Sequence, residues 1–315
     1  MIHTGQAVVD VVLRIPGLPE PGGDVFTTEH VLAAGGGVNT MAAAARDGAR
    51  VVYAGSHGTG PFGDLVRAAL ENEGVDLVSG PDPSRDTGFS IALVDADAER
   101  TFVSTAGAEA HTGPDQLRSS HPQLGDVVCV SGYSLAHETN RAALLNWLPA
   151  LPVALVVVDP APVIGDVDLD AVRTVLERAD VWTTNEREAR ILVDRLGGDA
   201  GGAPARGTSA PEIAEMLCRL SGTTIVLRAG ADGAYIAQPG GGVLPVAGCV
   251  VEAIDTNGAG DAHTGVLCAR LAAGARLSDA VRRANAAAAL AVTRRGPATA
   301  PLAAETDAAL VSLSR

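Results

Sequence analysis

Short apolar runs separated by stretches of helix formers are the feature that most constrains this 315-residue chain. Val51–Gly55, Asp126–Val130, Ala154–Asp159, Val181–Thr184 and Thr224–Arg228 are each short and mostly apolar. Helical stretches lie at Asn39–Asp47, Gly63–Glu73, Asn140–Leu148, Glu186–Leu196, Ala210–Leu220 and Ser278–Val292. Strands that alternate with helices need crossover connections, and the sheet they build is parallel with both faces covered. Hydrophobic residues make up 47% of the chain but aromatics only 3%, so such a core has to be built from Val, Leu and Ala. Two regions break the rhythm. Val8–Ile15 with Asp24–Leu32, and Thr87–Val94 with Arg100–Thr105, read as hairpin-like pairs that need not join the main sheet. Gly197–Ser209 reads as a surface connection rather than a domain linker, so residues 1–315 are expected to form one α/β unit.

The segment Asp255-Thr256-Asn257-Gly258-Ala259-Gly260-Asp261 places two carboxylates and two glycines just before a helix expected from Ala259 to Ala273. The apolar run Gly248–Ile254 in front reads as a strand leading in. A helix N-terminus offers unpaired N–H groups and the positive end of the dipole, which makes it an anion site. Asp261 falls in its first turn. An anion hole beside a lone carboxylate suits phosphoryl transfer, in which amides stabilise the moving phosphoryl group and the acid takes a proton from an alcohol. A glycine-rich turn with an aspartate serving only the helix dipole has the same sequence.

All 23 basic residues are arginine. The absence of lysine excludes a Walker P-loop, Schiff-base chemistry and a lysine general base. Nucleotide phosphates would have to be held by backbone amides, arginine and metal. The formal charge of −14 argues against affinity for nucleic acid or anionic membranes. Cys129, Cys218, Cys249 and Cys268 have no metal-like spacing and read as reduced thiols of a cytosolic protein. The start lacks a basic n-region and no apolar run reaches about 18 residues, so a soluble, cytoplasmic protein is expected. Gly58-Thr59-Gly60-Pro61-Phe62-Gly63 fits G-x-G-x-x-G, but Pro61 disturbs the turn and no acidic residue follows at a strand end, so a dinucleotide fold is disfavoured.

The Asp255–Asp261 segment resembles the Asp-Thr-x-Gly-Ala-Gly-Asp signature of ribokinase-like (PfkB) carbohydrate kinases. Ala34-Gly35-Gly36-Gly37-Val38-Asn39 resembles the family's glycine-rich sugar-binding turn, Asn185-Glu186-Arg187-Glu188 its Asn-x-x-Glu motif, and Ala286–Gly296 its C-terminal helix and cation-site turn. The resemblance spans nearly the whole chain. It implies a three-layer α/β/α sandwich with a small β-sheet lid from segments near 8–32 and 87–106, which in the family often also makes a dimer contact. It implies ATP and Mg²⁺ as cofactors and a small sugar or sugar-like substrate.

Residue by residue, the resemblance makes Asp261 the general base and Gly258, Ala259 and Gly260 the amide donors to the phosphoryl oxygens. Asp10, Gly35, Gly36 and Asn39 would hold the sugar. Asn39 also suits a helix N-cap, and Asp10 a charge at a strand edge. Asn185 and Glu188 would act through water on Mg²⁺, or serve as a capping pair. Arg228 stands where Thr or Ser is usual and would meet phosphate. Gly230 and Gly233 would cover ATP, and Asn285 would approach adenine. Asp255, Asn257 and the Arg295-Gly296 turn would help hold a monovalent cation such as K⁺, with loop capping the alternative for Asp255. Gly36 replaces a lysine usual in ribokinases. The room this leaves keeps open a nucleoside kinase of the same fold, and a catalytically silent sugar or nucleotide sensor is the reading from another class.

Overall fold

The valine-rich runs become parallel strands whose side chains alternate between two cores. The computed structural model describes residues 1–97, 99–151, 154–201, 203–296 and 298–312. Its strands are β1 (Ile2–His3), β2 (Ala7–Arg14), β3 (Glu29–Gly36), β4 (Val52–Tyr53), β5 (Asp76–Leu77), β6 (Phe89–Val94), β7 (Arg100–Ser104), β8 (Val127–Ser131), β9 (Leu155–Asp159), β10 (Val181–Asn185), β11 (Thr224–Arg228), β12 (Gly233–Ala237) and β13 (Val243–Ala247). The helices are α1 (Gly37–Arg46), α2 (Pro61–Asn72), α3 (Pro114–Ser119), α4 (Tyr133–Ala136), α5 (Glu138–Trp147), α6 (Leu169–Arg178), α7 (Glu186–Gly201), α8 (Ala210–Ser221), α9 (Ala259–Ala272), α10 (Leu277–Ala291) and α11 (Ala303–Ser312).

Among the described residues, nine strands form a sheet in the order β13-β12-β11-β10-β9-β8-β1-β4-β5, parallel from β11 to β5 with an antiparallel edge at β12 and β13. Val127 and Cys129 of β8 point into one core and Val128 and Val130 into the other; Val157 is opposed in the same way to Val156 and Val158. Helices α1, α2, α9 and α10 cover the first core, and α5, α6, α7 and α8 the second. Each fully buried Val or Leu side chain contributes about 1.5–3 kcal/mol, so aliphatic residues supply most of both cores, joined by Tyr53 in the first and Trp147 and Trp182 in the second. No helix of the described residues is long and apolar enough to cross a membrane.

The two hairpin-like pairs join into a separate four-stranded sheet, ordered β3-β2-β6-β7, through parallel pairing of β2 with β6. Strand β3 starts and ends later than the expected Asp24–Leu32, which brings Gly35 and Gly36 into the strand. The expected strand at Gly248–Ile254 does not form. The sheet ends at β13, and the chain beyond has no strand partner: Val250 and Ile254 are exposed, and Ile254 and Asp255 donate their N–H groups to the carbonyl of Val292. Helix α1 begins before Asn39, with Gly36 as N-cap, so Asn39 is an interior residue of the first turn and not the cap. The loop expected from Gly197 starts later, because α7 continues through a break at Gly198 to Gly201; residue 202 lies outside the described residues. Strands β1, β5, β12 and β13 and helices α3, α4, α6 and α11 had no counterpart in the sequence reading.

Helix α9 is buried nearly all round from Ala262 to Ala269, wedged between α1 and α10. Gly265 makes the approach to α1 feasible, because a Cβ there would run into the backbone oxygen of Thr40 and come within 2.8 Å of the Ala43 methyl. Replacing Gly265 with Ala is expected to push α1 and α9 apart and cost about 1–3 kcal/mol, the usual overpacking penalty, read as a lower midpoint in urea unfolding.

Candidate active site

Four parallel strands end side by side, and their last residues are polar: Ser131, Asp159, Asn185 and Arg228 on β8 to β11. The carboxyl ends of strands in open α/β sheets are where ligands bind. The Arg228 guanidinium turns inward. Its Nη1 donates to Asp159 Oδ2 at 2.9 Å, Thr183 Oγ1 at 3.0 Å and Thr264 Oγ1 at 3.0 Å, while Nη2 lies 3.6 Å from Glu188 Oε2. Thr264 in turn donates to the same Asp159 oxygen at 2.8 Å. Burial works against the arginine's charge, but Asp159 and Glu188 outweigh it and hold the group protonated. The guanidinium lies 3.7–3.8 Å from where a side chain on Gly260 would begin, so it forms the floor under the glycine turn.

Gly258 caps α9 with φ of 74°, a left-handed conformation that glycine adopts at no steric cost. The N–H groups of Gly260 and Asp261 find no acceptor among the described residues, and Ala259 donates only weakly, at 3.4 Å to Thr256 O. This is an amide nest at the positive end of a 14-residue helix. Asp261 stands beside it. Thr40 Oγ1 donates to its Oδ1 at 3.0 Å and Asn39 Nδ2 to its Oδ2 at 3.3 Å. Burial and the neighbouring Asp159 push its pKa up to about 6, while Thr40, Asn39 and Arg228 restrain the rise. A carboxylate poised there can take a proton near neutral pH.

Asp10 and the glycine turn face each other across β2 and β3. The Asp10 carboxylate packs directly against Gly35, at a place that any side chain on residue 35 would occupy. No group among the described residues hydrogen-bonds to Asp10, and burial raises its pKa to about 6. Gly36 has φ of 58°, and a Cβ there would lie 2.9 Å from Gln6 O and 3.1 Å from Val8 Cγ2. The direction of its missing side chain is therefore filled by β2 and its approach. Tyr133 stands partly exposed at the start of α4, its phenol kept protonated by burial and by Asp261 and Glu188.

Asn185 and Glu188 cap α7 reciprocally: Glu188 N donates to Asn185 Oδ1 at 2.9 Å, and Asn185 N to Glu188 Oε2 at 3.0 Å. Glu188 is 2% exposed, and burial together with Asp159 raises its pKa. Asn285 is buried too. Its amide nitrogen donates to Val246 O and Ala247 O, and its oxygen meets His263 Nε2 at 3.2 Å, so the side chain fastens α10 to β13. His263 is held neutral by burial and Arg228, which lower its pKa to about 3. Gly230 opens the short turn after β11 with nothing near its side-chain direction, whereas Gly233 lies against Val246 O and Gly248 N. Asp255 accepts at Oδ1 from Arg100 Nη2 at 2.7 Å and from Asn257 N at 3.0 Å, and at Oδ2 from Gly296 N at 3.5 Å.

Asp261, Asn39, Glu188 and Arg228 are thus brought together, with Asp159, Thr40, Thr183 and Thr264 as participants that the sequence reading missed. Asp159 carried a usable signal, a lone carboxylate closing a run of valines. The threonines carried none. Asp159, Glu188 and Asp261 against the one guanidinium leave a surplus of two negative charges when all are ionised, which fits a divalent cation. Among the described residues no three His, Cys, Asp or Glu side chains form a direct metal cluster.

A family model described as pfkB family carbohydrate kinase matches residues 2–304. The chain is 29% identical over 300 residues to an uncharacterized sugar kinase of Escherichia coli, YegV, covering 94% of this chain and 89% of that one. It is 28% identical over 296 residues to a ribokinase of Haemophilus influenzae, covering 93% and 92%. A solved ribokinase of Cryptococcus neoformans in complex with ADP superposes with a TM-score of 0.80 over 98% of this chain and 97% of that one, at 24% identity.

Asp10 offers a measurement that needs no ligand. A carboxyl whose pKa is raised by folding destabilises the folded state once ionised, fully above about pH 6 and not at all below the unfolded value near 4. Asp10→Asn is therefore expected to raise the melting temperature at neutral pH, with the gain over the parent chain fading as pH falls from about 6 towards 4.

Proposed function

The chain belongs to the pfkB family of carbohydrate kinases, and we propose that it transfers the γ-phosphoryl group of ATP to a hydroxymethyl group of a sugar, as a ribokinase or fructokinase does. The observation that carries this reading is Asp261, with its raised pKa, beside the unpaired amides at the start of α9. The sugar would lie between Asp10 and Asn39, with the Asp10 carboxylate accepting hydrogen bonds from its hydroxyls and Gly35 leaving the backbone bare. As the hydroxyl oxygen attacks the γ-phosphorus, its proton passes to Asp261, and the bond to the β,γ-bridging oxygen breaks to release ADP. The amides of Gly258, Ala259 and Gly260 would face the oxygens of the transferring group, with Arg228 as a fixed positive charge beneath them.

ATP would approach along Asn185–Glu188 and the Gly230–Gly233 turn. Glu188 would orient the waters around Mg²⁺, which when bound neutralises charge on the β- and γ-phosphates. The small sheet would act as a lid that excludes water, a competing acceptor. Four unpaired cysteines support a reducing, intracellular setting. Nothing at Gly36 favours the nucleoside reading, because its side-chain direction meets Gln6 and Val8 and not open space. A sensor has no use for an ionisable Asp261 whose burial disfavours folding.

The test is ADP release with Mg·ATP across free pentoses, hexoses, sugar phosphates and nucleosides. A saturable response to a free sugar is expected, and silence across the panel sinks the reading. Asp261→Asn should lower turnover by about 10²–10⁴-fold while leaving ATP binding intact. Because the base acts only when ionised, kcat/KM should fall as pH drops through about 6. A flat profile across that range would remove Asp261 from the role.

A further inference from the structure

Asp255, expected to serve a monovalent cation, is already neutralised by a guanidinium from the other sheet. Arg100 opens β7, and its Nη2 lies 2.7 Å from Asp255 Oδ1, across 155 residues of sequence. The pair is partly sheltered, with side chains 35% and 15% exposed. The Asn257 amide takes the same oxygen, and the Gly296 amide faces the other. A cation beside Asp255 would have to share the Oδ1 that Arg100 and the Asn257 amide already occupy, and would face the guanidinium's own positive charge. The residues present do not fit K⁺.

We infer that Arg100 supplies the positive charge at Asp255, so that the anion-hole loop is set by the small sheet and not by a monovalent cation. Asp255 and Asp261 bound the same seven-residue segment, and the pair therefore ties one end of that segment to the edge strand of the small sheet. Hydrogen bonds to Asn257 and Arg100 keep Asp255 below the usual carboxylate range although burial pulls the other way. Arg100 is a positioning residue: it touches neither ATP nor sugar in the proposed reaction. The inference rests on the phosphoryl-transfer reading for its catalytic consequence, but the binding of a cation does not depend on it.

The purified chain is titrated with KCl against choline chloride at constant ionic strength, and its melting temperature followed. The parent chain should melt alike in both salts, whereas Arg100→Ala, which frees Asp255, should gain a K⁺-specific rise. With the acceptor found in the sugar panel, the parent chain should turn over equally in K⁺ and choline. Arg100→Ala should lose about tenfold in choline through kcat more than KM, recovered by K⁺ or by Arg100→Lys. A K⁺-specific rise in the parent chain, or an Arg100→Ala chain indifferent to K⁺, overturns the inference. Should the panel give no turnover at all, the phosphoryl-transfer reading fails while the melting data still decide the pair.

Discussion

The buried guanidinium of Arg228 is the constraint on which the site depends. It is shared by a carboxylate from β9, a hydroxyl from β10, a carboxylate from α7 and a hydroxyl from α9, and so fixes the spacing between the sheet and the helices above it. The Asp159 carboxylate raises the pKa of both Glu188 and Asp261, and the Arg228 charge between them restrains both rises. A lysine at this position could be neutralised by desolvation. Arginine cannot be, and its planar fork serves several acceptors at once. A chain without lysine has used the one cation that stays charged when buried.

The second recurring theme is that the residues proposed to act are those whose environment works against folding. Among the described residues Asp10 has no partner, Asp261 is held by two neutral donors beside another acid, and the amides of Gly260 and Asp261 lack acceptors. Each is unfavourable in the empty molecule and would be relieved by a hydroxyl or a phosphate. Other buried or half-buried polar side chains show the opposite pattern. Asn285 spends its amide on two carbonyls and a histidine, and Asp86 accepts from the N–H groups of Phe62, Gly63 and Thr87.

Much of this was legible in the sequence because it is local. Strand β11 has the boundaries that valine, leucine and the flanking turns indicate, and α9 starts at Ala259 because a left-handed glycine followed by helix formers leaves the chain few alternatives. The Gly248–Ile254 run misled because an apolar, β-branched segment reads as a strand whether or not a neighbour exists to pair with it. The Asn39 cap misled because Gly36 begins the helix three residues sooner. The contacts that assemble the site were out of reach altogether: Thr40 with Asp261, Arg228 with Asp159 and Arg100 with Asp255 join elements that are remote in sequence, and no periodicity announces them.

That remoteness has a consequence for the life of the chain on the ribosome. Residues such as Asp10 and Asn39 are synthesised first, while Asp255, Asp261 and the turn that fastens Asn39 through Ala298 come near the end. The small sheet needs β2 to wait for β6, with Asp10 opposite Ser90. A nascent chain thus carries Asp10 and Asn39 before Asp261 and its glycine turn exist. Under the phosphoryl-transfer reading, a product truncated before Asp255 would lack both the base and the amide nest and could not transfer a phosphoryl group.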